Sequence, residues 1–430
     1  MATYKNIFTE KNLSRLMRPH DSRRYGKNIK RDRDLILNSA LSTALSTSTD
    51  FSSGVFSSKI KGKACSSIKD YSKVLITRAI TEHIQHIYKI KTPNRDKIVL
   101  GVIETLCDST PMYIFKKDIK SFYESIETAQ LNDLFFKRKL LPFYTRILLR
   151  KFFDRFCSTP KGIPRGLGLS SALSEIFLLD FDEKVRNING VYRYFRYVDD
   201  IIIFCTSRSA LEKIDLDLNK CLPLGLEFNK EKSTPPIYVD CSINQNKTAK
   251  SFDYLGYEFS FTDIIDQKRP RTVDVSIASK KIKKIKTKIV LSLKSFAKNH
   301  DAQLLLDRIK FISSNYLVKR RGNEKIQRSK FVKSGIFYNY SLCGSYKGKD
   351  HAPPQWSSPS LGELYNLDMF YQTIIGRNSK FKSVVTRIPL LIQQEIRKIS
   401  FKKGYEHRMI VKFKESRVKE IKKVWINHAF

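Results

Sequence analysis

Acidic residues are scarce in this chain. Asp plus Glu number 42 against 80 Lys plus Arg, which leaves a formal net charge of +38 over 430 residues. A chain with so little internal counter-charge repels itself unless a polyanion binds it, so nucleic acid leads the partner classes. Cysteine is also thin: seven, at positions 65, 107, 157, 205, 221, 241 and 343, with no Cys-x-x-Cys pair. An odd, scattered set argues against a disulfide framework or a zinc knuckle and points to a reducing cytoplasm. His83 and His86 have no cysteine nearby and fit a helix surface or core better than a metal site. No apolar run approaches the roughly 18 residues of a spanning helix, so no membrane partner is expected. Met1 to His20 has no signal-peptide core. What is present is core material: 41% hydrophobic and 12% aromatic residues, enough for two or three packed domains.

Residues 39–58, rich in Ser, Thr, Ala and Gly, read as a loop or mobile insertion. Ile76, Ile80, Ile84 and Ile87 mark a helix ending near Lys89, Thr92-Pro93-Asn94 breaks it, and a second helix runs from Asp96 to about Cys107. Met112–Asp118 reads as a strand, Leu131–Leu140 as a helix, and a third helix follows Pro142. A glycine-rich turn at 162–168 leads into a helix from Ser170 to about Val185. Tyr192 to Phe204 reads as two strands joined by an acidic turn, followed by a helix from Ala210 to Cys221 and a strand around Phe252–Phe261. From Gln267 onward there are 37 Lys plus Arg against 11 Asp plus Glu, a net of +26. Within that stretch Ile282, Ile285, Ile289 and Leu293 form one helical stripe, and the lysines from Lys280 to Lys288 stand out from it as a row. Pro353-Pro354 marks a loop before a last helical unit from about Leu361, and Trp356 and Trp425 read as core anchors.

The chemistry concentrates at Asp199-Asp200, between two β-rich runs. Two negative charges at a strand end are costly without a cation. An Asp-Asp turn by itself is common, but Asp118 ends a separate strand. Two such strand ends can clamp two magnesium ions, as two-metal phosphoryl transfer requires, and oxygen-only ligands suit magnesium. Five segments occur in order over about 145 residues: Phe115–Tyr123, Gly162–Ser170, Tyr197-Val198-Asp199-Asp200, Leu226–Ser233 and Tyr254-Leu255-Gly256-Tyr257. In that order they resemble the reverse transcriptase palm: the first catalytic motif, the template and nucleotide grip, the YxDD turn, the motif after it and the primer grip. The resemblance covers residues 75–300 well and the remainder loosely.

The resemblance implies an α+β right-hand polymerase with fingers, a palm built on an antiparallel sheet, and a helical thumb, followed by a basic helical C-terminal extension. The expected boundaries are 1–110 for the N-terminal region and fingers, 111–265 for the palm, 266–345 for the thumb and 346–430 for the extension. Asp118, Asp199 and Asp200, with the Ile119 backbone, would hold two Mg2+ ions, for which Mn2+ can substitute. Lys232 would neutralise or protonate the departing pyrophosphate. Tyr123 would lie under the sugar and favour deoxynucleotides, and serves equally well as a core aromatic beside Phe122. Pro164, Arg165 and Gly166 would approach the nucleotide, glycine allowing close backbone contact. Arg78, Arg95 and Lys97, with Lys91, resemble the basic fingers residues that neutralise a triphosphate, though a solvated or RNA-facing charge explains each as well. Tyr254, Leu255 and Gly256 would grip the primer, and Lys284 and Lys288 the nucleic-acid backbone. Phe337-Tyr338-Asn339-Tyr340, after the basic Lys319–Lys333, offers aromatics and cations that could stack bases.

Arg165 stands where most of the family has Gln, and Ser171 where it has Pro. Pro164-Arg165-Gly166 with Ser170-Ser171, and Asn94–Val99 leading into Asp118–Ile126, resemble bacterial antiphage-defence reverse transcriptases of the abortive-infection type. A Val-Thr-Gly thumb triplet, as in retrons, is missing, as is a second carboxylate cluster for a ribonuclease H domain. The expected function is RNA-directed DNA polymerisation on a noncoding RNA, using dNTPs and yielding a DNA product in defence. A second reverse transcriptase or another defence protein is a possible partner, and an oligomer is possible. A template-independent or protein-primed polymerase of the same fold is the first alternative; a nonenzymatic RNA-binding scaffold with a relic palm is the second.

Overall fold

The computed structural model describes residues 6–18, 21–29, 31–46, 48–60, 62–90, 94–108, 110–137, 141–206, 208–233, 235–239, 249–262, 271–319, 331–349, 352–376 and 378–426. Lys91, the Thr92-Pro93 break, the end of the 131–140 helix, Cys241, the Gln267 boundary and positions 320–330 of the basic stretch lie outside the described residues. The chain forms two compact units. The first comprises 1–98, 111–239 and 321–326, the second 99–110, 240–320 and 327–430.

The first unit opens with helices α1 (Glu10–Leu16), α2 (Asp21–Tyr25) and α3 (Arg33–Leu45), then strands β1 (Val55–Ile60) and β2 (Lys63–Ile68), then α4 (Tyr71–Ile87). Helix α5 (Arg95–Cys107) enters the second unit at Val99. The first unit continues with β3 (Met112–Asp118), α6 (Phe122–Ser125), α7 (Thr128–Asn132), a π turn at Asp133–Lys137, α8 (Phe143–Phe156), α9 (Gly168–Phe177), α10 (Leu179–Arg186), β4 (Val191–Tyr197), β5 (Asp200–Cys205), α11 (Arg208–Cys221) and β6 (Ile237–Val239). Its four-stranded antiparallel sheet has the order β4-β5-β3-β6. Inner strand β5 is apolar from Ile201 to Cys205, and all five residues are buried. The core joins β3 and β5 to α4, α8, α9 and α10 through residues such as Ile80, Phe115, Phe152, Leu173 and Phe181.

Three expectations need correction in this unit. Residues 39–58 are a loop only in part: α3 reaches Leu45 because Leu37, Ala40 and Ala44, at helical spacing, are buried. Positions 55–58 open the β1–β2 hairpin, and the described residues of 46–54 form neither helix nor strand. The helix expected at 170–185 is two, divided at Leu178, whose own side chain is buried. The helix expected from Leu131 is the end of α7 running into the π turn.

The second unit holds β7 (Ala249–Tyr254), β8 (Tyr257–Thr262), β9 (Thr272–Ile277), α12 (Ser279–Asn299), α13 (Ala302–Ser313), β10 (Asn315–Lys319), β11 (Phe331–Gly335), β12 (Gly344–Lys349), β13 (Ala352–Ser357), α14 (Gly362–Ile375), α15 (Lys382–Val385), α16 (Leu390–Arg397), α17 (Phe401–Glu406) and α18 (Glu415–Ile426). Its main sheet runs β13-β12-β9-β8-β7, and β10 pairs with β11 separately. The stretches expected to be helical, 266–345 and 346–430, thus contain strands as well. Strand β12 escapes notice because lysines occupy its exposed positions while Gly344, Tyr346 and Gly348 alternate inward. Pro353-Pro354 lies in β13, an edge strand, where the missing amide donors are tolerated. Trp356 on that strand is 53% exposed and is not a core anchor, whereas Trp425 is buried and donates from Nε1 to the Lys288 carbonyl at 3.2 Å. Helix α12 buries Ile282, Ile289, Leu293 and Phe296. Its lysines are not all held out: Lys286 and Lys288 lie over the rings of Phe370 and Trp425.

Candidate active site

Strand register brings the carboxylates together. Asp118, the last residue of β3, pairs with Asp200, the first of β5, and Asp200 also pairs with Tyr197 at the end of β4. Val198-Asp199 is therefore a two-residue hairpin loop. Val198 has φ +59°, a region β-branched residues avoid. Such strain persists only where surroundings hold it in place. Here the holder is Arg196, whose Nη1 donates to the Val198 carbonyl at 3.0 Å. The guanidinium is buried and also binds Asp182 at 2.7 Å and Glu175 at 2.9 Å, while the Tyr194 hydroxyl donates to Asp182 at 2.6 Å. An arginine on β4 thus ties the acidic turn to α9 and α10.

A second segment closes over Asp118. The Ile119 amide donates to the Asp199 carbonyl at 3.2 Å, Lys120 N to Glu227 O at 2.9 Å, and Asn229 N to Asp118 O at 2.7 Å. Ile119 bridges Phe228 in the same antiparallel run. This seats Lys232 with Nζ 2.9 and 3.1 Å from the Asp118 oxygens, and Asn229 Nδ2 at 3.4 Å. Burial, then the Asp118 charge, raises the Asp199 carboxyl above its usual range. Burial, then Asp199 and Asp118, pushes Asp200 up to about 6. The hydrogen bond to Asp118 raises the Lys232 ammonium, which stays charged.

Asp118, Asp199 and Lys232 line a cleft of about 520 Å³ that also takes in Ile119, Asn229, Lys63 and Arg165. Ile119 is 1% exposed, so its backbone is what reaches the cleft. Arg165 forms a fork on Glu124, with Nε–Oε1 at 2.5 Å and Nη2–Oε2 at 2.8 Å, and its guanidinium carbon sits 4.9 Å from the centre of the Tyr123 ring. Gly166, at φ +92°, turns the chain where a Cβ would come within 2.7 Å of the Ser66 carbonyl, and Ser66 N donates back to Arg165 O.

The other sequence candidates lie elsewhere. Arg78 is bound by Asp21 at 2.5 and 2.9 Å and faces a second cavity, with Arg18, Arg24 and Gly166. Arg95 and Lys97 occupy the first turn of α5 and are not in the cleft wall. Pro164 faces a groove shared with Arg155 and Lys161. Tyr123 lines none of these spaces. In the second unit Leu255 and Gly256 form a hairpin loop with φ +47° and +88°, the pattern of a type I′ turn, after the buried Tyr254. Lys284 and Lys288 are half-buried on α12.

Four functional candidates escaped sequence reading. Lys63 hides in a Ser-rich hairpin, and Glu124 needs Arg165 to acquire meaning. Asn229 lay inside a quoted motif without a role. Arg196 had one visible signal, a cation in a β-rich run just before the acidic turn.

The donors available are carboxylate and carbonyl oxygens, the set that suits Mg2+. Burial raises Asp199 and Asp200 first and repulsion from neighbouring carboxylates adds to it, and a bound cation would relieve that repulsion. As it stands the cluster is balanced by Lys232, and no group of three or more His, Cys, Asp or Glu among the described residues is arranged to hold a metal. A search of curated proteins finds no match to the chain. Residues 64–259, the span that holds Asp118, the acidic turn, Lys232 and the Leu255-Gly256 loop, match the family model of reverse transcriptase (RNA-dependent DNA polymerase).

Proposed function

We propose that the protein is an RNA-directed DNA polymerase working by two-metal-ion phosphoryl transfer. The observation that carries this is the convergence of Asp118 with Asp199-Asp200 on paired strand ends, Lys232 against them, inside the matched span. Asp118, Asp199, Asp200 and the Ile119 carbonyl would hold magnesium, which when bound supplies neutralisation of phosphate charge and a more acidic 3′-hydroxyl. In the reaction the 3′-oxygen bonds to the α-phosphorus, the bond to the β-phosphate oxygen breaks, and pyrophosphate leaves. The chain itself contributes fixed charge, the larger part of phosphoryl-transfer catalysis. Lys63 and Arg165 face the cleft where a triphosphate would lie, and Lys63 replaces Arg78, Arg95 and Lys97 as its best-placed neutraliser. Lys232 serves as resting counter-ion to Asp118 and, once released, as the cation for pyrophosphate.

The resemblance to defence enzymes extends the proposal to a cytoplasmic antiphage role, with a noncoding RNA as template and a second protein as partner. Synthesis without an external template, or begun on a protein side chain, is a second reading. It is favoured by Arg165, whose fork on Glu124 stands at a position where the family carries Gln.

The test uses the protein with its neighbouring genes and noncoding DNA, labelled dNTPs and Mg2+, beside the Asp199→Ala/Asp200→Ala variant. A DNA product that maps to one RNA and vanishes in the variant establishes templated synthesis. A simple or random polymer establishes the second reading, and no product from either protein refutes both.

A further inference from the structure

The side of the cleft nearest the first catalytic motif is not faced by the aromatic ring. Tyr123 packs edge-on against buried Phe122, with ring centres 5.6 Å apart, and Arg165 covers it. Arg165 lines both the catalytic cleft and the neighbouring groove of about 740 Å³ that holds Arg155 and Lys161, and Glu124 lines that groove too. Arg165, held by Glu124, therefore stands between the two spaces beside Lys63 and Ser121, against the Tyr123 ring.

This placement is rigid for reasons that can be named. Two arms of the guanidinium are bound by one carboxylate, and planar forks of this kind lose little further freedom. Glu124 is held below the usual carboxylate range, chiefly by its hydrogen bond from Arg165, so both partners stay charged at neutral pH. The backbones on either side are also joined: Ile163 N donates to Tyr123 O at 2.8 Å, Gly162 N to Ile126 O at 2.8 Å, and Ser66 N to Arg165 O at 2.8 Å.

Resting on the polymerase reading, we propose that the Glu124–Arg165 pair is the specificity element for the sugar of the incoming nucleotide. Arg165, backed by Tyr123 and locked by Glu124, is the wall that leaves no room for a 2′-hydroxyl. Glu124 is a positioning residue, since it acts through Arg165. A guanidinium freed from Glu124 can swing into the adjoining groove, and the space it leaves admits a ribonucleotide.

The test measures kcat/KM for each dNTP and its rNTP on an RNA template with an annealed DNA primer, for wild type, Glu124→Ala, Arg165→Ala, Arg165→Lys, the Glu124→Ala/Arg165→Ala double variant and Tyr123→Ala. Thermal unfolding midpoints identify any variant that has lost its fold. The expected result is a dNTP-over-rNTP ratio that falls by about ten- to a hundredfold in both alanine variants. The double variant should fall no further than either single one, because the two residues act as a unit. Arg165→Lys, which keeps the charge but not the fork, should lose the ratio too. A ratio unchanged in the Glu124 and Arg165 variants but collapsed in Tyr123→Ala would overturn the proposal and make the ring the selector. Wild type that incorporates neither nucleotide would refute the polymerase reading, and this proposal with it.

Discussion

At the residue scale, the acidic cluster is a site held at the expense of stability. With no metal bound, the Asp200 carboxyl sits at about 6, raised by burial and then by Asp199 and Asp118. An unfolded chain titrates it near 3.9, so the folded protein binds that proton more tightly. The stability this confers is complete below about pH 4 and disappears as pH rises through 6. Asp200→Asn is therefore expected to raise the metal-free unfolding midpoint at pH 7.5 by a few degrees and to leave it unchanged near pH 4. The Asp200 carboxyl is crowded on its inner side by the turn but the residue keeps an exposed face, so solvent screening trims the gain. Mg2+ should raise the midpoint of wild type and hardly that of the variant. Calorimetry at the two pH values decides it, and an equal magnesium shift in both proteins would remove Asp200 from the ligand set.

Arg196 belongs to the same scale. Arg196→Met leaves Glu175 and Asp182 buried without their cation, a loss of about 3–5 kcal/mol in urea unfolding. The triple change Glu175→Gln/Asp182→Asn/Arg196→Met should recover most of that stability. It should not recover polymerisation, since the anchor on the strained Val198 carbonyl is still gone. A triple variant with full activity would reduce Arg196 to a purely structural ion-pair partner.

At the element scale, the loop carrying Arg165 and the β1–β2 hairpin are one assembly. Gly166 combines a positive φ with a 2.7 Å approach to Ser66 backbone, and a Cβ can be accommodated only if the hairpin moves. Gly166→Ala should cost about 1–3 kcal/mol and release the bond between Ser66 N and Arg165 O. Hydrogen exchange at the Ser66 amide reads this directly: protection should drop there and persist along β5. Lys63, on the same hairpin, should then lose its effect on nucleotide KM.

At the scale of the whole molecule, the +38 charge governs association more than fold. Affinity for single-stranded RNA should fall with salt with a log–log slope of about −0.7 for each phosphate contacted. Six such contacts correspond to a drop of about 300-fold between 50 and 200 mM. Filter binding across that range tests it, and a flat response would contradict the view that these lysines and arginines track a phosphate backbone.

Much of the first unit was legible because its signals are local. The apolar run Ile201–Cys205, the Met112–Asp118 strand and the isoleucine spacing of α4 each specify an element by periodicity, and all three form where expected. The carboxylates were legible too, as strand-end and turn residues in an ordered set of motifs. Elements whose patterns are masked by another composition were lost: α3 and β1 under serine, β12 under lysine, β13 under two prolines. Exposure also escaped, since the large apolar Trp356 gives no hint that its strand lies at an edge. Alternation and turn chemistry act over a few residues, and they alone place Asp118 at a strand end and Asp199 in the turn between two strands. Only tertiary structure decided which cation meets which acid. Lys232 reaches Asp118, Arg78 is taken by Asp21, and Arg165 is taken by Glu124, because pairing among so many cations is settled by backbone register and proximity in space.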